Sequence, residues 1–269
     1  HNHPETQEGL GWCYYWLGRY DNAEQAFNKS LEMNPNLTGA AKGLGEVRKW
    51  RFLRFNSAWE LFYNADYTSA LTVFQEILDD KTNRLPAAEL WKVHSGKGWS
   101  YYNLGNYIEA EKSFNNILSI YKNNEFALKG LGFTQYRLGR YPVAEQTLIK
   151  VLEIHPEWAD THSILGWNYY MQKKFVDAEK AFQTACTVDA EYSDALYGLG
   201  WTMDRLDNRL KSRDYFIQAA SVTPYHPSVY DLFTLIDKDE NWWNLYGVFG
   251  WSYYRVADYI SAQKTFNAG

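Results

Sequence analysis

The sequence predicts an all-α solenoid built from tandem helix–turn–helix units. Two observations carry that prediction: a glycine–aromatic signature that returns every 34 residues, and apolar and turn residues that keep their phase behind it. The signature reads Leu10-Gly11-Trp12, Gly98-Trp99, Leu131-Gly132-Phe133, Leu165-Gly166-Trp167, Leu199-Gly200-Trp201 and Phe249-Gly250-Trp251. From Gly98 to Gly132, to Gly166 and to Gly200 the step is 34 residues each time.

Each glycine is followed by an aromatic, a turn, a small residue, then Phe or Leu, and in places Pro. In the first unit these are Tyr14, Gly18, Tyr20, Ala23, Phe27 and Pro35. In the fourth they are Tyr136, Gly139, Tyr141, Ala144, Leu148 and Pro156, and in the fifth Tyr169, Phe175, Ala178 and Phe182. The first helix of a unit ends at a Gly-Arg-Tyr or Gly-Asn-Tyr triplet, because glycine adopts the left-handed C′ conformation without a Cβ penalty. The second helix starts after it. Asp21-Asn22-Ala23-Glu24 has capping-box character, and Pro142 sits where a first-turn proline is tolerated. Small residues such as Gly11 and Ala23 let the two helices approach closely. One pair cannot bury its own apolar face, so the units must stack.

This pattern, with its Leu-Gly, Tyr, Ala, Phe and Pro positions, resembles the tetratricopeptide repeat family over nearly the whole chain. With the glycine at position 8, the repeats run at about 4–37, 38–80, 91–124, 125–158, 159–192, 193–226 and 243–269, the last one truncated. The second is irregular. It opens on schedule at Ala41-Lys42-Gly43-Leu44-Gly45, but its turn (Ala65-Asp66-Tyr67) and its Ala70 and Phe74 come 13 residues late, so Ala41–Asn64 carries an insertion. A second inserted segment, 227–241, holds a helix over Ser228–Ile236. The sixth repeat is eroded at its turn, with Asp207, Arg209 and Ser212 in place of Gly, Tyr and Ala. Odd repeats read Gly-Trp-x-Tyr-Tyr, while even ones read Lys42-Gly43-Leu44-Gly45, Lys129-Gly130-Leu131-Gly132 and Tyr197-Gly198-Leu199-Gly200, which suggests a doubled parent unit. The resemblance implies a single right-handed superhelical solenoid of tandem helix-turn-helix repeats, 1–269, with a concave groove where peptides lie.

The aromatic content, 18% with 12 Trp and 22 Tyr, exceeds what helix propensity favours. The rings sit in phase. Position 9 holds Trp12, Trp99, Phe133, Trp167, Trp201 and Trp251, and position 12 holds Tyr15, Tyr102, Tyr136, Tyr170 and Tyr254, broken by Asp204. At about 100° per residue, positions 4, 7, 8 and 11 face the partner helix, while 2, 5, 9, 12 and 13 face the opposite way. That opposite face is the candidate ligand surface: Trp99, Tyr102, Lys129, Phe133, Tyr136, Arg137, Trp167, Tyr170, Trp201, Arg205, Trp251 and Tyr254, with Lys92 and Arg255 beside them. Trp and Tyr dominate binding hot spots, and Arg and Lys add carboxylate and cation–π contacts. The other reading is that rings of successive repeats stack on one another and close the groove. Asn at position 9, which helps clamp a terminal carboxylate in chaperone-binding relatives, is replaced here by an aromatic, which disfavours that mode.

Composition narrows the functions. With 46% apolar and 22% charged residues the chain should fold, and no stretch is long and apolar enough for a membrane helix. A net charge of −5 argues against nucleic acid as partner. Cys13 and Cys186 are too few for a disulfide framework or a four-cysteine zinc site, and read as free thiols. The chain opens His1-Asn2-His3, which reads as a processed or excised form and leaves the compartment open. No HExxH, P-loop, GxGxxG or GxSxG motif occurs, so no catalytic site, metal or cofactor is expected. Gly96-Lys97-Gly98-Trp99-Ser100 imitates a phosphate loop but falls in mid-helix. His94 and His162 share position 4, a packing position; His155 and His226 precede prolines. The basic run Arg48, Lys49, Arg51, Arg54 reads as a solvated face or a site for an acidic partner. The Asn28-Lys29-Ser30 and Asn36-Leu37-Thr38 sequons read as chance. The expected function is a scaffold or adaptor holding an extended protein or peptide segment in an aromatic groove. Binding of a polysaccharide by stacked Trp and Tyr is the alternative, and self-association follows if the truncated last repeat leaves a face open.

Overall fold

In the computed structural model, residues 3–80 and 87–223 are described, together with Gln263, Lys264 and Asn267. Among the described residues there are twelve helices in tandem and no strand: α1 (Pro4–Trp16), α2 (Tyr20–Met33), α3 (Thr38–Tyr63), α4 (Tyr67–Asp79), α5 (Ala87–Asn103), α6 (Tyr107–Ile120), α7 (Glu125–Arg137), α8 (Tyr141–Ile154), α9 (Ala159–Met171), α10 (Phe175–Val188), α11 (Ser193–Arg205) and α12 (Arg209–Val222). The seventh repeat with Trp251, Tyr254 and Arg255, the segment 227–241, and His226 lie outside the described residues. The chain divides into two compact units, 1–134 and 135–269, with the boundary inside α7.

The turns form where the punctuation stands. At Gly18, with φ +69°, the Gly18 N–H donates to Tyr15 O and the Arg19 N–H to Tyr14 O, which closes α1 in a Schellman-type turn. The same turn is made at Lys173, with φ +61°, where a side chain meets the left-handed penalty that glycine avoids. Lys173→Gly is expected to raise stability by about 0.5–1 kcal/mol, read by urea denaturation, because relief of that strain exceeds the extra unfolded-state freedom of glycine.

Helix starts follow the sequence less closely. Asn124 Oδ1 accepts from the Ala127 N–H at 2.9 Å and Asp66 Oδ1 from Ser69 at 3.1 Å, both ordinary N-caps, and Pro142 lies in the first turn of α8. The capping box expected over Asp21–Glu24 does not form. α2 begins a turn earlier, at Tyr20, with Arg19 at the N-cap and no side-chain cap, so Asp21 falls inside the first turn.

The core explains the alternation of repeat types. Phe27, Phe114 and Phe182, at position 24 of the second helices, are fully buried. Each ring lies between two glycines, one from its own pair and one from the next first helix. A Cβ on Gly11, Gly98 or Gly166 would come within 2.5–2.8 Å of the ring of its own pair. A Cβ on Gly43, Gly130 or Gly198, at position 6 of the following repeat, would come within 2.2–2.3 Å of the same ring. Gly96 stands in that relation to Phe74 at 2.2 Å, so the apparent phosphate loop is a packing device within α5. Where the second helix carries the smaller Leu148, the next position 6 is Ile164. A phenylalanine demands glycine ahead of it; leucine does not.

The 13-residue insertion is taken up in one continuous helix. α3 runs 26 residues, and its two ends serve different neighbours. Ala40, Leu44 and Val47 pack with Phe27, while Ala58, Trp59 and Phe62 pack with Ala70 and Phe74 of α4.

Candidate functional site

The aromatic excess resolves into a chain of rings inside each helix pair. In the first repeat the rings run Phe27–Trp12–Tyr15–Tyr20, with centroids 5.3, 5.7 and 5.5 Å apart. The third runs Phe114–Trp99–Tyr102–Tyr107 at 5.3, 5.4 and 5.5 Å, and the fifth Phe182–Trp167–Tyr170–Phe175 at 5.2, 5.7 and 5.5 Å. All of these contacts are edge-to-face, the favoured geometry for aromatic pairs. The second repeat builds the same chain from Phe74, Trp59, Phe62 and Tyr67, all within the irregular repeat.

Helical phase placed these rings opposite the intra-pair core. The structure corrects that: each Trp leans one edge onto its own second helix, and each position-12 ring packs on the aromatic across its turn. What remains toward solvent is the other edge. Trp99, Tyr102, Tyr136, Trp167, Tyr170 and Trp201 are half-buried. Phe133 is the exception, only 8% exposed and beneath Lys129, whose Nζ lies 5.7 Å from its ring centroid.

Within 135–269 the ladder is tied between repeats by polar contacts that the sequence did not announce. Trp167 Nε1 donates to Asp194 Oδ2 of α11 at 3.0 Å, and the Ser163 hydroxyl donates to the same oxygen. Arg205 Nε donates to the Tyr170 hydroxyl at 3.0 Å, and its guanidinium stays exposed. Tyr197 sits between Trp167 and Trp201, with centroids 5.9 and 6.0 Å away. The structure therefore brings Tyr170, Tyr197, Trp201 and Arg205 together around Trp167. Arg137 is exposed on α7, and Tyr136 packs on Tyr141 at 6.0 Å. Within 1–134, Trp99, Tyr102, Lys129 and Phe133 form a separate group, joined by the Trp99–Phe133 contact at 5.8 Å.

Models described as Tetratricopeptide repeat match residues 4–37, 91–124 and 130–195, in register with these helix pairs. The chain belongs to the tetratricopeptide repeat family. Among solved structures, MamA 41-end from Desulfovibrio magneticus RS-1 is similar with a TM-score of 0.54 and 21% identity, over 64% of this chain and 94% of that one. YrrB, described as a TPR protein with an unusual peptide-binding site, is similar with a TM-score of 0.51 and 20% identity, over 79% of this chain and 100% of that one. At such identities the likeness is one of fold. A comparison with curated proteins finds no match.

The remaining candidates are absorbed by packing and pairing. Arg54 lies over the Trp50 ring at 5.6 Å and bonds Asp80 at 3.1 Å and Glu76 at 3.3 Å, whereas Arg48 and Lys49 are exposed. His162 Nε2 lies 2.9 Å from Pro156 O, and His155 stacks on Trp158 at 4.2 Å. His94 is half-buried, and burial, then Lys97, holds its ring below the usual imidazole range. Cys13 and Cys186 are free thiols, the first exposed. Among the described residues no helix is long and apolar enough to cross a membrane.

Proposed function

We propose that the chain is a protein-interaction scaffold that holds an extended segment of a partner along the first helices of its repeats. Half-exposed ring edges take apolar side chains, and exposed guanidinium groups take carboxylates. The observation that carries this reading is the Arg205 guanidinium, exposed yet held by the Tyr170 hydroxyl of the preceding repeat, beside Trp201 and Tyr197. An arginine fixed by one nitrogen has its other donors oriented before a ligand arrives, which lowers the ordering cost of binding. The description of YrrB as peptide-binding adds support by likeness of fold.

The test is a pull-down with the intact chain, followed by affinity measurement on the captured partner, for wild type and Arg205→Ala. Because Arg205 is exposed, its removal should leave melting nearly unchanged. It should weaken binding at least about tenfold, roughly 1.4 kcal/mol. Unchanged affinity for every captured protein would remove Arg205 from the surface, and capture only on a polysaccharide array run beside it would replace the peptide reading.

A further inference from the structure

We propose that the outer face of α1 is a docking surface for one more helix pair of this chain's own kind, whose second helix carries phenylalanine at position 24. The argument is independent of the first-helix surface above. In each later described repeat the corresponding face is covered by the preceding second helix. At position 6, Gly43, Gly96, Gly130 and Gly198 all abut a phenylalanine ring; Gly9, their counterpart in α1, has nothing within 4 Å of where its Cβ would be. At position 7, Leu44, Leu131, Leu165 and Leu199 are at most 8% exposed, and Leu10 is 41% exposed. At position 10, Val47, Ser100, Thr134, Asn168 and Thr202 are all 0% exposed, and Cys13 is exposed.

Glycine in mid-helix is costly where nothing needs the space. Inside this chain, position 6 is glycine where the ring ahead is Phe27, Phe74, Phe114 or Phe182, and isoleucine where it is Leu148. Gly9 therefore fits a phenylalanine-bearing helix, and Leu10 and Cys13 are the apolar floor on either side of it. The occupant also presents alanine at position 20, as Ala23, Ala110 and Ala178 do, to let the helices close. A flat polar helix or a leucine-bearing one would leave the hollow at Gly9 unfilled.

The experiment places residues 159–192 directly ahead of Pro4, so that Phe182 of the added pair faces Gly9 in register. In the parent chain Gly9→Ala should raise the melting temperature, since alanine is the better helix former and meets open space. In the extended chain the same change should lower it. Phe182→Leu in the added pair should abolish that penalty. Labelling of Cys13 by a thiol reagent should slow at least tenfold on extension; Cys186, whose thiol is pushed up to about 11 by burial and then Asp189, reacts poorly and does not obscure the readout. Gly9→Ala raising the melting temperature of both chains, equal labelling of Cys13, or an extended chain less stable than its parent each overturns the proposal.

Discussion

Gly198→Ala is expected to destabilise the chain by about 2–3 kcal/mol, although alanine is the better helix former by about 1 kcal/mol. The new Cβ would lie 2.3 Å from Cε1 and Cζ of Phe182, far inside van der Waals contact. Phe182 cannot retreat. Its other face is against Gly166, where a Cβ would already be within 2.6 Å, and its edge is against Trp167 at 5.2 Å. Overpacking of a core this tight costs about 1–3 kcal/mol or somewhat more, which outweighs the gain in propensity. Because the strain belongs to the pair and not to the glycine, Phe182→Leu in the same molecule should recover part of it, as Leu148 and Ile164 coexist one repeat earlier. A double-mutant cycle in urea should give a coupling of about 1 kcal/mol or more. Additive effects would show that the ring does not occupy the space between the two glycines.

The same rule shows what could be read before the structure. Helix pairs, turns and the 34-residue register follow from Gly18, Ala23, Phe27 and their counterparts, because backbone handedness and helix approach depend on residue type at one position. The alternation of Gly-Trp and Gly-Leu-Gly repeats was visible too, but its cause was not. It needs the knowledge that a ring in one pair is met by a glycine of the next. Trp59 was hidden inside the insertion, although the spacing from Trp59 to Phe74 equals that from Trp12 to Phe27 and from Trp99 to Phe114. Aligning on that spacing would have found the first helix of the second repeat.

The direction of the rings was the harder inference. Helical phase fixes where a Cβ points, but an indole reaches well beyond it and can lean back over the neighbouring helix. Hence position 9 is neither a free groove residue nor a core residue. One edge contacts the second helix and the other is left toward solvent. The contacts between Tyr170 and Arg205 and between Trp167 and Asp194 depend on the offset of one repeat against the next, which no single repeat encodes.

That double character gives Trp167→Ala the largest expected effect on stability, about 3 kcal/mol, at the lower end of the range for aromatic truncation because the ring is half-buried. Three separate losses contribute. The edge contact with Phe182 disappears, opening a void beside a fully buried ring. Tyr170 and Tyr197 lose a neighbour at 5.7 and 5.9 Å, so Tyr170 holds Arg205 less firmly. Asp194 loses the indole donor, though the Ser163 hydroxyl remains on the same oxygen. Trp167→Phe separates these: it keeps most of the ring contact and removes the hydrogen bond, and should cost about 1–2 kcal/mol. The consequence for binding can be worked out in advance. If Trp167 is mainly a strut, its alanine variant should lose stability and partner affinity together, while Arg205→Ala loses affinity alone. A Trp167→Ala protein that melts within a few degrees of wild type but binds at least tenfold more weakly would return that ring to the contact surface. It would also show that the Phe182 edge contact contributes little to the fold.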